Sequence, residues 1–237
     1  VVRLLLFDVD GTLIRTHGAG VAAFQRVFAS EFGIQDAVAG VSFAGRTDPS
    51  IVREVFARHG IEASEANFGR FFTLYPHWLD HLLSRSRGEI CAGVWNLIHR
   101  VGQIASSVRM GLLTGNTRLG AEIKLRHFQL WQAFQLGAFG DDHEDRNALA
   151  RFALRRASEW MGADLRGEDV VVVGDTAHDI ECARAIRARS LAVATGGNTI
   201  EELRSHSPTW AVPNLNCVTA EEICGLAPAE DFFGADA

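Results

Sequence analysis

No apolar run in this chain of 237 residues approaches the ~20 needed for a membrane-spanning helix, so no membrane partner is expected. Positive charge is also short: 23 Lys and Arg stand against 29 Asp and Glu, giving a formal net charge of −6 and an isoelectric point near 5.8. That balance argues against nucleic acid or an acidic membrane surface as a partner, while leaving room for a local basic pocket around a phosphate. Lysine itself is almost missing, with Lys124 the single one. The four cysteines, Cys91, Cys182, Cys217 and Cys224, form no C-x-x-C pair, and the histidines suggest no zinc site. Zinc and redox chemistry are therefore unsupported, and buried or half-buried thiols in a cytosolic protein are expected. No signal peptide is legible before the first strand, so the expected location is the cytoplasm. The start on Val1 rather than Met suggests trimmed ends. No internal repeat or low-complexity segment is present.

What the chain does have is a soluble, globular profile, 47% hydrophobic and 22% charged, and one very informative stretch. The run LLLFDVDGTL, Leu4 to Leu13, is an apolar strand that ends in Asp8 and Asp10, followed by Gly11 and Thr12. Such a strand is expected at the centre of a parallel sheet, buried on both faces. Carboxylates at its mouth would be costly without a compensating partner, and a bound cation would offset that cost. Open α/β sheets hold their ligands at the carboxyl ends of strands. Gly11 permits a turn that aims both acids into one pocket, where one carboxylate can attack as a nucleophile while the other moves a proton.

Beyond Gly18 and Gly20, helical periodicity takes over. Apolar residues from Val21 to Phe32, then Ile51 to Phe56, then Phe68 to Leu82 mark three helices with no convincing strand among them. Asp48 is expected as an N-cap, with Pro49 at the first helical position. The aromatic stripe from Phe68 to Trp78 reads as bundle core. Strands return at Ser107 to Leu113, Phe134 to Phe139, Asp169 to Val173, Ser190 to Ala194 and Thr209 to Val212, the last at an edge, with helices between them. The long helix falls at about Arg146 to Met161. Alternating strands and helices imply a parallel sheet with right-handed crossovers. The expected fold is thus α/β: a Rossmann-like parallel-sheet core, residues 1–16 and 87–237, with a small all-helical cap, residues 17–86, inserted after the first strand. The acidic tail from Ala227 is expected to be mobile unless Phe232 and Phe233 dock.

Two further strand ends are polar. In GLLTGNT, Thr114 ends an apolar strand, and Gly115 and Asn116 open a helix; a hydroxyl and backbone N–H groups at a helix N-terminus suit a phosphate. In VVVVGDTAHDI, Asp175 is placed to bind a hard cation through oxygen. Asp179 is placed to bind that cation through water or to orient a basic partner. Each pattern alone has an ordinary alternative, a helix cap or a first-turn acid complementing the helix dipole.

Together, DVDGTL (Asp8 to Leu13), LLTGN (Leu112 to Asn116) and VVVGDTAHD (Val171 to Asp179) resemble the haloacid dehalogenase superfamily of hydrolases, in that family's order and with the insert where its helical cap belongs. The resemblance covers essentially the whole chain. It implies Asp8 as a nucleophile forming an aspartyl-phosphate, and Asp10 as general acid to the leaving group and then base for water. It implies magnesium held by Asp8, the main-chain carbonyl of Asp10 and Asp175, with Thr114 on the phosphoryl oxygens. Members that cleave carbon–halogen bonds lack the second acid, so Asp10 points to phosphate chemistry.

The chain departs from the family at the lysine usually found before the helix leading into the last catalytic strand. Lys124 comes too early for that place, and Arg146 stands there instead, with Arg151 a weaker substitute. An arginine fork can grip a phosphoryl oxygen and Asp8 together. The insert is expected to act as a lid, with Gly18 and Gly20 as hinges. Arg46 is its best substrate contact, weighed against a local pairing with Asp48; His17 is a weaker candidate. The insert resembles the cap of phosphoglycolate-phosphatase-like members, so the expected activity is magnesium-dependent hydrolysis of a small phosphorylated metabolite. The alternatives are a sugar phosphomutase of β-phosphoglucomutase type, which shares all four acids and the cap, or a non-catalytic phosphate-binding protein.

Overall fold

The fold follows from the two-faced burial of the first apolar run. A computed structural model describes residues 1–104 and 108–226. In chain order its elements are β1 (Leu4–Phe7), β2 (Ile14–Arg15), α1 (Ala19–Phe32), α2 (Asp48–Arg58), α3 (Glu65–Leu83), β3 (Glu89–Ile90), α4 (Val94–Ile104), β4 (Arg109–Leu113), α5 (Arg118–His127), β5 (Leu136–Ala138), α6 (Arg146–Met161), β6 (Val170–Gly174), α7 (Ala177–Ala185), β7 (Arg189–Val193), α8 (Ile200–Ser205), β8 (Trp210–Val212) and α9 (Ala220–Cys224). Six strands form one parallel sheet in the order β5-β4-β1-β6-β7-β8. All four side chains of β1 are fully buried. Leu5 and Phe7 join a cluster with α4, α5 and α9 on one face, while Leu4 and Leu6 join α6 and α7 on the other. At roughly 1.5–3 kcal/mol for each large apolar side chain removed from water, this central position drives the core.

Strand order places the site. The chain moves outward through β1, β4 and β5, returns to β6 beside β1, and moves outward the other way through β7 and β8. That reversal is a topological switch point, where open α/β sheets bind ligands at strand carboxyl ends. Asp8 follows β1 and Asp175 follows β6, so the switch point carries an acid on each side.

The helices α1, α2 and α3 bury a separate apolar cluster built on Phe24, Phe28, Phe56, Phe71, Tyr75 and Leu79. The aromatic stripe is core, as its spacing requires. A two-stranded antiparallel ribbon, β2 with β3, ties the segment entering this bundle to the segment leaving it; two-residue strands leave no periodic trace in the sequence. Helix α9 is likewise short. Two expectations change. Thr47, not Asp48, caps α2, because its hydroxyl accepts from Ser50 N while the Asp48 carboxylate turns inward. Cys217 is exposed, although the other three thiols are buried. The strand expected from Ser107 is described from Arg109 onward, and Ser107 lies outside the described residues, as do Phe232 and Phe233. No helix among the described residues is long and apolar enough to cross a membrane.

Candidate active site

Three neighbouring strands, β4, β1 and β6, deliver Thr114, Asp8 and Asp175 to one end of the sheet. Backbone hydrogen bonds hold the mouths in register: Asp8 N donates to Val173 O at 2.9 Å, and Thr114 N to Ala138 O at 3.1 Å. After Asp10 the chain turns through Gly11 at φ +83°, the left-handed region that favours glycine. A Cβ at this position would lie 2.4 Å from Asp175 Oδ2, so Gly11 both makes the turn and leaves room for the acid. Thr12 then donates its hydroxyl to Asp175 Oδ1 at 3.2 Å.

Oxygens of Asp8, Asp175 and Asp179 come within 4.8 Å of one another, and all three residues are buried. Burial foremost, then the neighbouring Asp179 charge, pushes the Asp8 carboxyl up to about 7 against the pull of Arg146. Burial, Asp179 and Asp8 push Asp175 up to about 8. Carboxylates packed this closely repel unless a cation joins them, and an all-oxygen set is the donor chemistry of a hard divalent ion. The residues fit such an ion. Among the described residues, no other cluster of three potential ligands forms; His77 and His81, one turn apart on α3, are joined by no third ligand.

Arg146, in the first turn of α6, sits where the sequence places it. Its guanidinium donates to Asp8 Oδ1 at 3.4 Å and, at short range, to Asp179 Oδ1. Burial works against its charge, yet Asp179 and Asp8 hold it above its ordinary value. Its Nε is buried with no hydrogen-bond partner. Arg146 does not pair with the nearby surface acids: Asp142 holds Arg156 and Glu144 holds Arg53. Asp179 engages both its oxygens, one on Arg146 and the other on the backbone N–H and hydroxyl of Thr176. It orients the basic partner while keeping an oxygen close to the other two acids.

Asp10 stands beside this cluster and is held from the opposite side. Its Oδ2 accepts from Asn116 Nδ2 at 2.7 Å and from Lys124 Nζ at 2.6 Å. Asn116 also donates to Thr114 Oγ1 at 2.9 Å. Its side chain therefore serves the acid rather than opening α5, whose cap is Thr117. Lys124 was too early for the family's usual lysine, and it reaches the site by another route. The signal for it was the buried face of α5, where Gly120, Ala121, Lys124 and Leu125 share one side; a lysine among small and apolar neighbours needs an acid partner.

The helical insert roofs the site. Asp48 N donates to Gly115 O at 2.7 Å, and the Asp48 carboxylate accepts from Thr117 N at 2.8 Å. Burial pushes Asp48 up to about 7, with Lys124 pulling it down. The cavity, open to solvent on one side, is about 280 Å³ and is lined by acids and glycines below and by Val21, Phe24, Phe43 and Tyr75 above. Arg46 also lines it, but its guanidinium pairs with Glu54 and donates to Ser42 O and Ser50 O. The partner is Glu54 rather than Asp48, because Asp48 faces α5. His17 is not among the lining residues and sits half-exposed beside Glu89.

Gly115 makes this roof possible. A Cβ there would meet Arg46 O at 1.9 Å and Thr47 Cα at 2.9 Å. Gly115→Ala is expected to hold the loop around Arg46 off the core, lowering kcat/KM about tenfold or more and also lowering the melting temperature, because the overlap is with backbone and breaks the Asp48–Gly115 contact. Steady-state kinetics beside a melting curve check it, and an unaltered kcat/KM would show that the seated loop is not needed.

Against known proteins, residues 5–193 match the model of the haloacid dehalogenase-like hydrolases. The chain is 26% identical over 226 residues to phosphoglycolate phosphatase 1 of Pseudomonas aeruginosa, covering 90% of this chain and 77% of that protein. It is 25% identical over 217 residues to phosphoglycolate phosphatase of Synechococcus elongatus, covering 88% and 92%. Among solved structures, CbbY from Rhodobacter sphaeroides in complex with phosphate has the same fold, with a TM-score of 0.65 at 19% identity over 84% of this chain and 88% of that one.

Proposed function

Because this chain belongs to the haloacid dehalogenase-like hydrolase family, we propose that it is a magnesium-dependent phosphatase acting on a small phosphate monoester. The observation that carries this reading is the convergence of Asp8, Asp10, Thr114, Arg146 and Asp175 on one roofed cavity at the sheet's switch point. Asp8 is the nucleophile that takes up the phosphoryl group as an aspartyl-phosphate. Asp10 donates a proton to the leaving oxygen and then accepts one from water. Thr114, with the N–H groups of Gly115 and Asn116, grips the phosphoryl oxygens. Arg146 spans Asp8 and a phosphoryl oxygen through its fork of donors. Asp8, the main-chain carbonyl of Asp10 and Asp175 would hold magnesium, with Asp179 close by. When bound, the ion supplies the positive charge that lets an anionic nucleophile approach an anionic phosphoryl group.

The boundary at residues 17–86 makes the insert a cap, hinged at Gly18 and Gly20, that shuts water out during phosphoryl transfer. A cavity of about 280 Å³ admits a phosphoryl group and a short leaving group, in keeping with a small phosphorylated metabolite as the partner. The names of the relatives nominate phosphoglycolate as the first compound to try.

Turnover of p-nitrophenyl phosphate with and without magnesium tests the reading. Phosphate release only with the ion supports it. Conversion of a sugar-phosphate isomer that depends on a bisphosphate, without net phosphate release, would point to a mutase instead. Stability gives an independent readout. Asp8 and Asp175 have folded values of about 7 and about 8, above the ordinary 3.8. The folded chain therefore holds more protons than the unfolded one between those limits, and stability falls as pH rises through that window. The metal-free protein is expected to melt lower at about pH 8 than at about pH 5.5, and magnesium to raise the melting temperature more at the higher pH. Equal magnesium shifts at both would count against the acid cluster as the ion's site.

A further inference from the structure

Lys124 is the one lysine in a chain with 22 arginines, and it is buried, at 4% exposure. Its Nζ lies 2.6 Å from Asp10 Oδ2 and 2.6 Å from Asn116 Oδ1. Helix α1 covers it closely: a Cβ on Gly20 would stand 3.5 Å from Nζ. A buried ammonium is destabilising unless it is paired and hydrogen-bonded, and here its acid partner is a residue of the reaction centre. The ammonium is compact, with three donors on one atom, and fits between two oxygens; the planar fork of Arg146 suits its position across Asp8 and Asp179.

The arrangement distinguishes the two oxygens of Asp10. Oδ2 accepts from both Lys124 Nζ and Asn116 Nδ2. An oxygen already facing two N–H donors is held as an acceptor, because a proton of its own would point at another hydrogen. The Asp10 side chain remains 41% exposed, within the cavity lining, and both of these donors are on Oδ2, so Oδ1 takes no part in the Lys124 and Asn116 bonds.

We propose that Lys124 is a positioning residue for proton transfer: with Asn116 it fixes Oδ2 of Asp10 and so reserves Oδ1 for the proton exchanged during phosphoryl transfer. The assignment rests on the phosphatase reading above. In the first half-reaction a carboxylate oxygen of Asp8 bonds to phosphorus as the bond to the ester oxygen breaks. The proton on Asp10 Oδ1 passes to that oxygen, and the alcohol departs neutral. In the second, a water oxygen bonds to phosphorus and gives a proton to Oδ1. The bond from phosphorus to Asp8 breaks, and its electron pair returns to the carboxylate.

The test is Lys124→Met, with kcat/KM measured on p-nitrophenyl phosphate and on phenyl phosphate. The two esters share a ring, but only the poorer leaving group of phenyl phosphate needs the proton. Loss of about 30-fold or more on phenyl phosphate, with less than about 3-fold on p-nitrophenyl phosphate, is expected. Equal losses on both esters, or none on either, would overturn the proposal. Wild-type protein that hydrolyses neither ester with magnesium would instead overturn the phosphatase reading, and this assignment with it. A second measurement needs no lysine variant: ¹⁵N-lysine labelling gives a single side-chain resonance, which should shift in Asp10→Asn. A resonance indifferent to that change would also overturn the pairing.

Discussion

Asp8→Asn is expected to lower turnover of p-nitrophenyl phosphate by roughly 10⁴-fold or more while the fold persists. The amide keeps the shape of the carboxyl group but cannot form the acyl-phosphate bond. The effect on stability separates chemistry from folding. Asp8 is buried beside Asp175 and Asp179, and burial foremost pushes its carboxyl up to about 7. A neutral side chain removes one charge from a crowded acidic site, and Asp179 still holds Arg146. The metal-free variant should therefore melt no lower than the wild type at about pH 8. Circular dichroism melts beside the assay check both parts. Substantial turnover in a verified Asp8→Asn protein would remove Asp8 from the nucleophile's role.

Arg146→Ala is expected to have the second large effect, and it should damage both rate and stability. The guanidinium bridges Asp8 and Asp179 inside the protein. Removing it leaves two buried carboxylates without their cation, which costs about 3–5 kcal/mol when one partner of a buried pair is deleted. It also removes the donor set facing the phosphoryl oxygens, which corresponds to about 10²–10³ in rate. Arg151, on the exposed side of the same helix, provides the contrast: Arg151→Ala should change stability by no more than about 0.5 kcal/mol and leave the rate nearly intact. Urea titrations and kcat/KM for the pair of variants decide the matter. Equal small effects would mean that neither arginine does the work of the family's usual lysine.

The two substitutions also show why the acids and the arginine are read as one unit. Asp8 touches Arg146, Arg146 touches Asp179, and Asp179 is held by Thr176 at the start of α7. Their mutational effects should not add. Lys124 and Asn116 form a second unit around Asp10. Each carboxylate of the first motif thus has its own cationic partner, arriving on a different helix.

Most of the core was legible along the chain. Apolar runs ending in acids identified β1 and β6, because a strand buried on both faces has no polar residue until it reaches its mouth. The α6 boundaries and the three helices of the insert followed from 3.6-residue periodicity. The acids at 8, 10, 175 and 179 were legible because carboxylates are out of place at the mouth of a buried strand; Arg146, in the first turn of α6, was legible only through the resemblance, which expects a cation before that helix. Tertiary structure alone decided which strand ends are neighbours, because crossovers of similar length permit several strand orders. It also decided where Lys124, Asp48 and Arg46 point. Periodicity assigns a residue to a face of a helix, but that face finds its partner only when distant elements pack; so Lys124 meets Asp10 across 114 positions, Asp48 meets the start of α5, and Arg46 turns to Glu54.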